Sequence, residues 1–396
     1  PEINDALKIF ETINERGIGL NPMDLLKNLI FRQVERDEFT KLNHKWQQLV
    51  KILDKNKEKP LRFLRYFIMA NYNVNSPKGD EILREDEIYK WITKPENAKQ
   101  CKYDKEPFEF VELLIENASI FVKYFKGEDH DGQNIYLNNI RKLGGGSFRQ
   151  HLILLLAGRK LPKPLFDHLA KQIETLIFYY FITREPTKEF ERNFSKWAKD
   201  LIKIKTAEEL DQFIKEKIEP EVNDKRNSYR SSFLELNQHS VQQYRMRYIL
   251  AKIAQYIDQQ RLGSYKPQNL DGYITKGIEV EHILPFTPEN GLREKIGEEY
   301  DEFKIKLGNL TLLEKSINAS IGNSDFYDHK MGEYAKSTIY LTKSISVIEN
   351  VGTNTAITRI NQRLKSFDDW NQLTIKERQE MLFELSKSIW QVDYLN

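Results

Sequence analysis

The 396-residue sequence has one cysteine, Cys101, so an intramolecular disulfide and a cysteine-built zinc site are both excluded. That usage fits a reducing, cytoplasmic setting. Long hydrophobic runs are missing too. The longest, 152–157 and 176–182, fall far short of the roughly 20 residues that a membrane helix needs, so no membrane partner is expected. No secretory leader opens the text, which starts at Pro1 directly in a helical pattern and reads as part of a longer protein. Charge of one sign is also lacking: 61 basic and 59 acidic side chains leave a formal +2. Bulk basicity is thereby excluded as the means of holding nucleic acid, and any such contact must come from local patches. Fixed-period repeats are absent, which removes a solenoid.

What is present is a globular composition, 40% hydrophobic and 30% charged, long enough for two or three domains. From about 41 to 257 the pattern is helical almost throughout. Positions 165, 166, 169, 170, 173, 176, 177, 180 and 181 form an apolar stripe of helical period, with Pro162 and Pro164 just ahead of it. Gly144-Gly145-Gly146 reads as a turn between helices, and 260–277 reads as a connection. Arg245 and Arg247, beside Tyr244 and Tyr248, offer either a DNA-facing surface or a helix face packed at a domain junction; the second reading is the simpler one.

Beyond 277 the texture changes. Residues 278–284 alternate with period two, a strand signal, and Leu310-Thr311-Leu312-Leu313 predicts a second short strand. A helix is expected over 324–336, capped by Asn323 or Ser324. Within this strand–strand–helix stretch stand Glu281 and His282 at the end of the first strand, Asn309 before the second, and Asn318 after it. Hydrolysis of a phosphodiester needs a general base and a cation that stabilises developing charge. A histidine supplies the first, and oxygen ligands hold the second. Adjacent strand residues point to opposite faces, so Glu281 and His282 share one site only if the strand end bends, which Pro285 favours.

The text Val280-Glu281-His282-Ile283-Leu284-Pro285, then Leu307-Gly308-Asn309-Leu310-Thr311-Leu312-Leu313 and Asn318, resembles the HNH nuclease domain of the GmrSD-type restriction endonucleases. The pattern continues into Asn323, Phe326 and Lys330. It is also similar to the nuclease site of RNA-guided DNA endonucleases, with an aspartate there where Glu281 stands here. The resemblance implies a mainly α protein: a helical domain followed by a small ββα-metal (HNH, or His-Me finger) nuclease module. Its boundaries are expected at 36–262 and 263–396. It further implies His282 as general base, Asn309 as the residue pinning the loop, and Asn318 as a metal ligand. Glu281 is then either a second metal ligand or a salt-bridge partner. Asn323, His329 and Lys330 are expected at DNA. The implied cofactor is a divalent ion, magnesium first, with manganese or nickel as alternatives.

Residues 10–17 and then Leu20, Asp24, Leu25 and Lys27 resemble the closing segment of the ParB-like nucleotide-handling domain of the same proteins, so 1–35 is assigned to it. The Asp-Gly-Gln-Gln-Arg motif of that domain does not occur in this sequence, so nucleotide hydrolysis is not assigned to it. The expected activity is metal-dependent DNA cleavage in a modification-dependent restriction or anti-phage system. The alternative is a DNA-sensing or regulatory helical scaffold with an inactive site. A homo-oligomer is left open.

Overall fold

The computed structural model describes residues 22–74, 82–263, 268–288 and 291–395. The family-like text at 10–20 lies outside them, while Asp24, Leu25 and Lys27 fall on a first helix, α1 (Pro22–Phe31). The further main helices of the bundle are α2 (Phe39–Lys55), α3 (Pro60–Asn71), α4 (Pro107–Lys126), α5 (Ile135–Gly144), α6 (Leu152–Ala157), α7 (Lys163–Ile182), α8 (Thr187–Leu201) and α9 (Gln243–Arg261). A two-residue hairpin, β1 (Glu128–Asp129) and β2 (Gly132–Gln133), links α4 to α5. Helices α3, α4 and α7 each begin with a proline in the first turn, where its missing N–H is not needed. No helix among the described residues is long and apolar enough to cross a membrane.

The short α6 is apolar on every side and at most 2% exposed, so it lies inside the bundle against α3, α4 and α8. Helix α7 is buried well beyond its apolar stripe. Its Gln172 and Glu174 are also enclosed, because neighbouring helices cover the polar side as well. Glu174 survives there by taking partners from two of them. It accepts from Asn139 of α5 at 3.1 Å and from the Tyr248 hydroxyl of α9, and it pairs with Lys252 of α9 at 2.9 Å. A buried carboxylate with three partners ties helices together, whereas an unpaired one would cost several kcal/mol.

Helix α9 separates the bundle from the later elements, packing on α5 and also on the second strand of a new hairpin. That hairpin is β3 (Ile278–His282) paired antiparallel with β4 (Leu310–Glu314), Glu281 opposite Thr311 and His282 opposite Leu310. By the pleat, Ile278, Val280, Leu310 and Leu312 face the large core. Leu313 belongs to a second cluster with Ile283, Leu284, Tyr300, Phe303, Phe326, Tyr334 and Trp370. Cover on both faces explains why 310–313 is buried throughout rather than alternately exposed. Arg247 donates to the carbonyls of Thr275 and Ile278 and so serves the junction, whereas Arg245 stacks 3.8 Å over the Phe181 ring and donates to the Leu143 carbonyl within the bundle.

Three boundaries differ from expectation. Strand β3 ends at His282, because the backbone of 283 and 284 pairs with Asn309 instead of continuing a ladder. The helix after β4 starts at once, as α10 (Lys315–Ile321), and Gly322 with φ 53° ends it. Its start carries no cap signal: Glu314 sits at the N-cap, but its carboxylate is bonded to Ser337 and Thr338. The helix expected over 324–336 is found over 326–334, a wide turn at Phe326–Lys330 running without a break into Met331–Tyr334, and it is capped by Asp325 rather than Asn323 or Ser324. The chain closes with α11 (Tyr340–Ser346) and α12 (Gln372–Ile389). After α12, Trp390 stacks on Phe178 at 3.6 Å and so anchors the C-terminal helix in the bundle.

Candidate active site around His282

After His282 the chain leaves the sheet, and the backbone groups from the His282 carbonyl to Pro285 find partners elsewhere. Ile283 N donates to the Asn309 carbonyl at 3.0 Å, and Leu284 N to Asn309 Oδ1 at 2.7 Å. Asn309 Nδ2 returns a bond to the Leu284 carbonyl at 3.0 Å. Lys330 Nζ donates to the carbonyls of His282 and Ile283 at 2.7 and 3.2 Å, and Tyr300 Oη to that of Pro285 at 2.5 Å. Six hydrogen bonds thus hold a turn that has no regular structure, and each also removes the penalty of a buried unpaired group.

Asn309 is fully buried and uses all its valences. Its oxygen also accepts from Trp370 Nε1 at 2.8 Å, and its amide also donates to the Lys304 carbonyl at 2.8 Å. Two acceptors and two donors on one small side chain make asparagine the fitting residue; aspartate would present its oxygens to two carbonyls. Behind it, Arg378 of α12 donates through Nη1 to the carbonyls of Gly308 and Leu310, both at 2.7 Å. Its Nε and Nη2 have no hydrogen-bond partner among the described residues, and burial pulls the guanidinium down to about 9. Gln379 accepts from Gly308 N at 2.8 Å. A Cβ on Gly308 would stand 2.2 Å from the Ile375 carbonyl, so only glycine lets α12 come this close.

The His282 ring is half-buried. Its Nε2 lies 2.7 Å from Gln238 Oε1, and the ring meets Phe286 edge-on at 5.4 Å. Phe286 is 45% exposed, with the Lys304 ammonium 4.3 Å from its ring centre. Burial first, then the positive charges of Lys330 and Lys304, lowers the imidazole to about 4. It is therefore neutral at neutral pH, with one nitrogen carrying a lone pair.

Glu281 points to the other face of the strand, together with Glu279. Its Oε1 accepts from Lys330 Nζ at 2.6 Å and from Tyr334 Oη at 2.9 Å. Asn318, on α10, donates to Glu279 Oε2 at 2.8 Å, and Lys315 stands 3.8 Å from the other Glu279 oxygen. The fold therefore brings Glu279, Glu281 and Asn318 to one face and turns the His282 ring toward Gln238 on the opposite one. Carboxylate and amide oxygens are hard donors, which fits magnesium or manganese. Both bonds to Glu281 use Oε1, so the donor chemistry of its second oxygen is compatible with an ion. Among the described residues, the one trio of His, Asp or Glu that converges on a single point is Asp129, His130 and Asp131, in the β1–β2 hairpin, outside this site.

The DNA contact expected of Lys330 is corrected. Its ammonium is 1% exposed and spent on Glu281 and two carbonyls, because its helical turn faces the hairpin. Burial lowers its proton affinity, opposed by Glu281. Asn323 and His329 are exposed. Sequence reasoning missed Gln238, Trp370, Arg378 and Gln379, which lie on other segments without a motif, and Glu279, which lies on β3 itself and whose alternation with Glu281 was the one available signal.

No curated protein matches the chain. Residues 223–385, less than half of it, match the family described as GmrSD restriction endonucleases, C-terminal domain. That segment contains Gln238, both strands, α10, the His282 turn and most of α12. Over this segment the chain is similar to the C-terminal domain of the GmrSD restriction endonucleases.

Proposed function

We propose that the chain is a metal-dependent DNA endonuclease of the HNH type, serving a restriction or anti-phage system that attacks modified DNA. The observation that carries this reading is the His282 imidazole set against Gln238 on a hydrogen-bonded turn, inside the segment matched to a restriction endonuclease domain.

In this reading His282 Nδ1 takes a proton from the attacking water. The negative phosphodiester beside the ring raises its basicity from the depressed value of the free protein. The rigid turn keeps the nitrogen in place, so little reorganisation is needed at the moment of reaction. The expected ligands Asn318 and Glu281 face away from the His282 ring, so a cation acting on the same phosphate as the base would be bound on the ring's side of the hairpin. When bound, that cation supplies stabilisation of the charge on the phosphoryl and leaving oxygens. Lys330 and Tyr334 hold Glu281 in place by hydrogen bonds to Oε1. Exposed Asn323 and His329 would contact the DNA backbone, and Phe286 with Lys304 would meet the nucleotide nearest the cut.

Plasmid cleavage in magnesium, manganese, nickel and EDTA, run on the parent and on His282→Ala, tests this. The parent should cut with a divalent ion and stop in EDTA. His282→Ala should lose about 10²–10⁴-fold in rate with an unchanged circular dichroism spectrum. A variant that cuts at the parent rate overturns the base assignment. DNA binding without cleavage under every ion overturns the enzyme reading in favour of a DNA-sensing scaffold.

A further inference from the structure

We propose that Gln238 is the positioning residue that decides which imidazole nitrogen of His282 is free to act. This rests on the reading of His282 as the base. An imidazole offers its proton on either nitrogen, and the two tautomers are close in energy unless a partner selects one. Here the Gln238 Oε1 lies 2.7 Å from Nε2, from 44 residues upstream. An amide oxygen only accepts, so Nε2 carries the proton and Nδ1 keeps its lone pair.

Selection works only if the glutamine is itself fixed, and it is held from several sides. Gln238 N donates to the Ile305 carbonyl at 2.9 Å, and Leu307 N to the Leu236 carbonyl at 2.9 Å. Asn237 bridges Lys306, and its Oδ1 accepts from the backbone of His239 and Ser240 at 2.9 and 3.0 Å. Gln379 of α12 donates to the Phe233, Leu234 and Leu236 carbonyls while accepting from Gly308. The segment bearing Gln238 is thereby fastened to the same 305–309 stretch that supplies Asn309. Base and positioning residue share one frame, although they are far apart in sequence.

The test uses the full chain with selectively 15N-labelled histidine, the His282 signals being those lost in His282→Ala. Gln238→Met keeps length and bulk but removes the acceptor; Gln238→Glu restores an acceptor. The parent and Gln238→Glu should show the Nε2-protonated tautomer. Gln238→Met should show both tautomers and cut about 10–100-fold more slowly, as removal of an orienting partner typically does. A steric role would be satisfied by methionine and not specifically by glutamate. If Gln238→Met keeps the parent tautomer, or cuts at the parent rate while His282→Ala is inactive, the role of Gln238 falls and the base assignment stands. If His282→Ala cuts at the parent rate, the base assignment falls first.

Discussion

In α6 every side chain from Leu152 to Ala157 is apolar and enclosed, whereas the turn from His282 to Pro285 is organised by six hydrogen bonds to its backbone. Apolar burial is strong and non-directional, so it holds the bundle together without dictating where any one atom stands. Hydrogen bonds are weaker per contact but set direction, so they place an imidazole nitrogen. Stability and geometry are therefore divided between two regions of one molecule.

The comparison can be broken most severely at the ion pair beneath the turn. Lys330→Met leaves Glu281 buried without its cation, and the expected loss is about 3–5 kcal/mol in a urea titration. The double variant Lys330→Met/Glu281→Gln should recover most of it; no recovery would mean that the pair is not the source of the cost. Next, Leu155→Ala should cost about 2–5 kcal/mol by leaving a cavity in the bundle. Cleavage well below the melting temperature should stay near the parent rate, and a large drop there would erase the division of labour. Asn309→Ala should do the reverse. It should cost about 2 kcal/mol of stability through lost hydrogen bonds, yet reduce cleavage by far more than the unfolded fraction explains.

The smallest effect is electrostatic. Burial, helped by Arg149, pushes the His151 imidazole down to about 3. The unfolded chain takes up this proton below about pH 6.5 while the folded one refuses it. Its contribution is thus present above pH 6.5 and is lost as pH falls toward 3, at up to about 1.4 kcal/mol per pH unit. Unfolding measured at pH 7, 6 and 5 should show this slope, and His151→Met should flatten it. An unchanged slope in that variant would place the acid sensitivity elsewhere.

The motif residues His282, Asn309 and Asn318 were legible because the text around them is local: two short strands and a step between two asparagines. The supporting shell was not. Gln238 contributes one amide oxygen from an irregular segment, and Arg378 and Gln379 look like ordinary polar positions on an amphipathic helix until α12 is docked on Gly308. Helix α10 was missed because its N-terminus lacks a side-chain cap, and the helix drawn over 324–336 overran the observed 326–334 by two residues at each end. Lys330 shows the same limit from the other side, since a lysine in sequence reads as exposed until a carboxylate is found beneath it.

Periodicity and composition by themselves determined a helical protein with a strand–strand–helix insert, since these depend on neighbours within a few residues. The histidine was determined with them, as part of one continuous motif. Only the tertiary structure decided what surrounds it. The ring is turned to Gln238, the adjacent carboxylate to Lys330 and Tyr334, and Asn318 to Glu279. The pleat sends neighbouring side chains to opposite faces, and what waits on each face comes from segments that sequence order does not bring together.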